Sequence, residues 1–149
     1  MNLTNQLSEI EVNYSTKIKK SDLPKVVTSH DAYKCFKHIW SDRIQFVEES
    51  ILLLLNRANR ALGYVKLSSG GTTGTVVDIK LIFAIALKTN ASSIILAHNH
   101  PSGNLRPSDA DQNLTKELSA SGKILSLPLL DHLIITDEGY YSMADEGVL

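Results

Sequence analysis

The chain has 149 residues, 43% of them hydrophobic and 21% charged. That composition supports one ordinary core, is too short for two, and is not that of a disordered chain. Fifteen basic against sixteen acidic residues leave a formal charge of −1, which argues against an overall electrostatic footprint for nucleic acid and leaves room only for a local patch.

A single cysteine, Cys35, excludes an intramolecular disulfide framework and fits a reducing compartment. The N-terminus MNLTNQLSEIEVNY lacks the basic start and apolar run of a secretory leader. No apolar stretch approaches the ~20 residues that span a bilayer. The expectation is a cytoplasmic protein with no membrane attachment.

Residues 9 to 19 alternate. Ile10, Val12, Tyr14, Thr16 and Ile18 fall on one side and Glu9, Glu11, Asn13, Ser15, Lys17 and Lys19 on the other, a two-residue period that predicts a half-buried strand. Lys19, Lys20, Asp22 and Pro24 then form a polar linker. Ser29 is placed to cap a helix to about Trp40, with Ala32, Cys35, Phe36, Ile39 and Trp40 on its apolar face. His30 and His38 have no ligand-like company and read as surface histidines.

Ile51 to Leu55 is a short aliphatic run between polar residues, the pattern of a strand buried on both faces. Asn56 to Arg60 turns the chain, and Leu62 to Leu67 returns as a second strand. The segment SSGGTTG, Ser68 to Gly74, reads as a loop. Its GGxxG lacks the following lysine of a phosphate-binding loop.

Asp78 caps a helix carrying Ile79, Ile82, Phe83 and Ala86, ending near Asn90. Ser93 to Ala97 predicts another buried strand. The Pro/Gly-rich loop Asn99 to Pro107 leads into a helix from about Ser108 to Ser121, with Ala110, Leu114 and Leu118 inward and Gly122 as its stop. Ile124 to Thr136 and Tyr140 to Ser142 read as strands around a turn at Asp137-Glu138-Gly139. Mixed strands and helices with hairpin-like turns predict an α/β domain with a mixed central sheet flanked by helices.

The stretch AHNHPSGNLRPSDAD, Ala97 to Asp111, is where chemistry concentrates. His98 and His100 are two apart, so on extended chain both rings point to one side, ~6.6 Å apart along the strand. Asp111, in the first turn of the next helix, supplies a third ligand if the loop folds back. Two histidines and an aspartate leave one open position on tetrahedral Zn²⁺, as in a catalytic site, and water there has its pKa lowered to ~7. Each residue also has a plain explanation. Ser108 and Asp111 stand in the S-x-x-D relation of a capping box, and the histidines could be polar residues at a strand end. Jointly, His, Ser and Asp at these offsets from any of five histidines arise by chance about once in a thousand such compositions. Pro101 and Pro107 stiffen the loop.

His98-x-His100, seven residues, Ser108, two residues, Asp111 is similar to the JAMM metalloprotease motif of JAB/MPN domains. HNHPSG and PSDAD, with DHLIIT at Asp131 to Thr136 and YYSMADEG at Tyr140 to Gly147, resemble the RadC branch from about residue 25 to the end. Residues 1–24 would be an N-terminal extension with one strand, and 25–149 a RadC-like JAB/MPN domain. The helix-hairpin-helix-like region of longer RadC proteins has no counterpart in residues 1–24.

The resemblance implies a cytidine-deaminase-like α/β sandwich and Zn²⁺ held by His98, His100 and Asp111. It further implies a Ser108 that donates to the developing oxyanion, and an upstream glutamate as general base. Glu48 and Glu49 both precede ILLLLN, and strand alternation aims them to opposite sides. Counted back from Asn56, the RadC pattern selects Glu48. The expected function is zinc-dependent hydrolysis of a peptide or isopeptide-linked protein substrate. The alternative is a non-catalytic or DNA-associated role in DNA repair or mobile-element biology, which the near-neutral charge does little to support. Deaminase chemistry needs His-x-Glu and Pro-Cys-x-x-Cys, which one upstream cysteine cannot supply. Asp131-His132 lacks a nucleophile and is expected to be structural, with His132 outside the set of ligands, and Arg106 reads as a surface residue.

Overall fold

The computed structural model describes residues 7–8, 14–70 and 77–149. In these, a five-stranded sheet carries one helix on one face and two on the other. The elements in chain order are α1 (Ser29–Ile39), β1 (Glu48–Leu55), β2 (Ala61–Gly70), α2 (Ile79–Lys88), β3 (Ser93–Asn99), α3 (Asp109–Ile124), β4 (Leu129–Ile135) and β5 (Tyr140–Ser142). The strand order is β2-β1-β3-β4-β5. Only β3 and β4 run parallel among these pairs; the other three are antiparallel. This is the mixed α/β sheet the sequence predicts.

The aliphatic run of β1 divides strictly by parity. Ile51, Leu53 and Leu55 pack with Ile95, Ala97, Leu133 and Ile135 under Ala32 and Phe36 of α1. Leu52 and Leu54 pack with Ile94 and Leu96 under Ile82, Phe83 and Ala86 of α2 and Leu118 of α3. A strand covered by helices on both sides has no solvent face, and so it carries no polar alternation. Burial of each such side chain contributes about 1.5–3 kcal/mol.

Several boundaries differ from the sequence reading. Of the strand expected at 9–19, residues 9–13 lie outside the described residues, and 14–19 form no strand; a 3-10 turn follows at Lys20–Asp22. There Tyr14 reaches β2 through its hydroxyl, donating to the Leu62 carbonyl at 2.7 Å, and no backbone ladder forms. The cap of α1 is Thr28 rather than Ser29. Thr28 accepts from Asp31 N while Asp31 accepts from Thr28 N, a complete capping box. Ser29 instead donates to Asp145 and faces Tyr140. Of the expected glycine-rich loop, Ser68 to Gly70 belong to β2, and 71–74 lie outside the described residues.

Gly122 does not stop α3, which continues to Ile124 before Ser126 takes positive φ. A Cβ on Gly122 would overlap the Leu127 carbonyl oxygen. Glycine is there so that the returning chain can press against the helix. Ala110 is exposed, and Thr115 turns inward instead. The strand expected from Ile124 begins only at Leu129. Among the described residues no helix is long and apolar enough to cross a membrane.

Candidate metal centre

Strand parity carries the site. His98 shares the face of Leu96, toward α3, at the carboxyl end of β3. That is where open α/β sheets place their ligands. The His100 amide extends the pairing by donating to Ile135 O. The chain then turns, with Gly103 N donating to His100 O and Gly103 at φ 81, a conformation glycine adopts without strain. Asn104 O lies 2.6 Å from His100 Nδ1. Ser108 caps α3 and sets Asp111 in its first turn.

Three side chains meet. His98 Nε2 is 2.9 Å from His100 Nε2 and 3.2 Å from Asp111 Oδ1, and His100 Nε2 is 3.4 Å from Asp111 Oδ2. Among the described residues, this is the group of three able to hold a metal ion. With one atom taken from each residue, all lie within 4.8 Å of one another. Bonds of 2.0–2.1 Å in a tetrahedron place neighbouring ligand atoms about 3.3–3.4 Å apart, a spacing the two carboxylate contacts match while the two Nε2 atoms sit closer together.

Hydrogen-bond direction shows what the three atoms present. The Asp111 carbonyl can only accept, so Thr115 Oγ1, 2.7 Å away, donates to it. With its one proton committed to that carbonyl, a stronger acceptor than Met143 Sδ at 3.0 Å, Thr115 accepts from His132 Nδ1, also at 2.7 Å. His132 Nε2 is left as an acceptor and takes the proton of His98 Nδ1 at 2.8 Å. That leaves His98 Nε2 as a bare lone pair. His100 Nδ1 likewise donates to Asn104 O, which bares its Nε2. In these neutral tautomers two nitrogen lone pairs face the Asp111 carboxylate, each pair of groups approaching within 3.4 Å, an arrangement that suits a cation.

The electrostatics reflect the close pairing of the imidazoles with the carboxylate. Burial pushes the Asp111 carboxyl up, but contacts with His100 and His98 and the Ser108 amide outweigh it and hold it well below the usual carboxylate range. His100 is raised chiefly by Asp111, against burial, and further by Asn104 O and the Glu48 charge. Burial drives His132 well down, and His98 adds to this, so His132 stays neutral and able to accept.

The capping box and the ligand group are not alternatives. Asp111 Oδ2 accepts from Ser108 N at 2.8 Å while both its oxygens face the histidines. Ser108 Oγ accepts from Asp111 N and donates to none of the described residues. Glu48 is half-buried. Since Ser50 pairs with His98, alternation puts Glu48 on the ligands' face and Glu49 on the other. Glu49 is 7% exposed and accepts from Ser41 Oγ at 2.6 Å.

Arg106 is exposed, as expected. The Asp131 carboxylate turns away from the His132 ring, accepting from Ser142 Oγ, His132 N and Ala144 N. No Asp–His relay forms between them. Sequence reasoning missed that His132 and Thr115 support His98. Thr115 carried a usable signal, one helical turn beyond Asp111 on the same face.

A family model described as the RadC-like JAB domain matches residues 26–148. The chain belongs to that family. The RadC-like JAB domain is 44% identical over 126 residues to a "UPF0758 protein" of Flavobacterium johnsoniae, covering 85% of this chain and 54% of that relative. It is 41% identical over 139 residues to a "UPF0758 protein" of Porphyromonas gingivalis, covering 91% and 60% respectively. The chain therefore spans little more than half the length of these curated relatives.

Proposed function

We propose that this RadC-like JAB domain is a zinc-dependent hydrolase that cleaves the amide or isopeptide bond of a peptide or protein substrate. The observation that carries the reading is the convergence of the His98 and His100 Nε2 atoms on the Asp111 carboxylate, with the far nitrogen of each ring engaged by His132 or by Asn104 O. Imidazole and carboxylate together suit several divalent metals, and the family resemblance favours zinc.

His98, His100 and Asp111 would hold the ion. A bound zinc ion would supply Lewis acidity, lowering the pKa of a nearby water to about 7. Glu48, on the ligands' face, accepts a proton from the attacking water and returns it to the departing amine as the C–N bond breaks. Ser108, whose hydroxyl proton none of the described residues accepts, donates to the carbonyl oxygen as charge develops there.

The test is metal analysis of the full chain purified without chelators. One zinc per chain, lost in His98→Ala and Asp111→Ala, is the expected result. No zinc even after reconstitution, or one iron in its place, overturns the assignment.

A further inference from the structure

Asn99 lies between the two histidine ligands and is wholly buried. By strand alternation its side chain projects to the α1 face, away from the rings of His98 and His100. There all of its polar groups are engaged. Nδ2 donates to Ile44 O at 2.7 Å and to Val47 O at 2.8 Å, and Oδ1 accepts from Glu49 N at 2.6 Å. The two carbonyls and the one amide fix the orientation of the group, since only the NH₂ end can meet carbonyls.

The last two partners belong to particular peptide units. Val47 O is the carbonyl of the peptide entering Glu48, and Glu49 N is the amide of the peptide leaving it. One side chain thus grips both peptide groups that flank the Glu48 Cα. The bond to Ile44 O ties in the turn at 42–46 that delivers the chain to β1. That turn is otherwise closed by Phe46 N and Val47 N donating to Arg43 O, and by Ser41, which accepts from Arg43 N and donates to Glu49.

We infer that Asn99 is a positioning residue that couples the metal ligands to Glu48, so that occupancy of the centre orders the 44–49 segment and that segment in turn tightens metal binding. The ligands on either side of Asn99 fix the end of β3 when they hold an ion. Asn99 then transmits that fixation to the two peptides that aim Glu48. By linkage, the factor by which zinc steadies the segment equals the factor by which the segment strengthens zinc binding. The role of Glu48 as base rests on the hydrolase reading above. The coupling is measured without turnover, so the two can fail separately.

The experiment adds zinc to the metal-stripped full chain and follows amide hydrogen exchange at Phe46, Val47 and Glu49, with Phe36 of α1 as reference. In the wild type, zinc slows these three amides by about tenfold or more relative to Phe36. Asn99→Asp is nearly the same size but sets a carboxylate oxygen against two carbonyls. It should reduce the slowing to about twofold or less and weaken zinc binding about 10–100-fold, as supporting partners of ligands do. Asn99→Ser, which removes the grip without adding charge, should do the same. Slowing and affinity equal to wild type in either variant overturn the inference and leave the zinc centre standing. Should both variants fail to fold, the wild type decides: zinc binding without selective slowing at the three amides also overturns it. Absence of zinc binding removes the metal reading and this inference together.

Discussion

His132 stands directly behind His98, its Nε2 2.8 Å from His98 Nδ1, and is itself held by Thr115 at 2.7 Å. It is wholly buried, and as an acceptor it keeps the proton of a neutral His98 on Nδ1. Replacing it with Phe keeps a ring in the core and removes the acceptor. Zinc affinity should then fall about 10–100-fold, with one zinc still bound at saturation. Thr115→Val should produce a smaller loss in the same direction. Competition titration against a chromophoric chelator measures both, and unchanged affinity in His132→Phe would show that the tautomer is fixed by something else.

Glu48 and Glu49 are neighbours in sequence with opposite surroundings, and their variants should part accordingly. Glu48→Gln keeps shape and zinc content but cannot take a proton. Hydrolysis of any substrate the wild type turns over should drop at least 10²-fold. Glu49→Ala strips Ser41 of a buried acceptor and should cost about 1–3 kcal/mol of stability, with little change in turnover per folded molecule. Denaturant titration and turnover on the same preparations separate them. The reverse pattern would transfer the base role to Glu49.

Much of this was readable from residues alone, for identifiable reasons. The aliphatic run of β1 announces burial on both faces. His98-x-His100, followed by a loop and a capping box, needs only strand parity and a returning loop to bring three candidate ligands together. What the sequence hides depends on cross-strand pairing. His132 meets His98 because β3 and β4 run parallel with Leu96 beside His132, 34 positions after His98 in the chain. The bond from Glu49 N to Asn99 spans 50 positions through the β1–β3 pair. Local pattern also misleads where it names no partner. The alternation at 14–19 forms no strand, Tyr14 meeting the edge strand β2 through its hydroxyl, and the glycine that looked like the end of α3 is needed for the approach of Leu127.

Acid should weaken the fold in part through Asp31. Amides of Val27 and Thr28, then the Thr28 hydroxyl and Lys34, hold its carboxyl well below the usual range. A folded pKa below the unfolded value of ~3.9 means that the unfolded chain binds the proton first. The contribution of Asp31 is therefore complete above pH ~4 and is lost as pH falls further toward the folded value. Asn in its place cannot ionise. Thermal midpoints measured from pH 6 down to pH 2 should fall less steeply for Asp31→Asn than for wild type, and the two curves should converge at the acid end. Parallel curves would place the acid sensitivity elsewhere.

Ser108 serves as helix cap and, in the proposed reaction, as donor to the carbonyl oxygen; substitution can separate these. Glycine is a tolerable N-cap, costing a few tenths of a kcal/mol where alanine costs about 1. Ser108→Gly should therefore stay close to wild type in stability. It should bind zinc, because the Ser108 amide still donates to Asp111. It has no hydroxyl to meet the charge on the carbonyl oxygen, so turnover should fall about 10²–10³-fold, with the loss in kcat. Thr at this position restores a hydroxyl and should recover most of the rate. A Ser108→Gly protein that is stable, zinc-loaded and fully active would leave Ser108 a cap and nothing more.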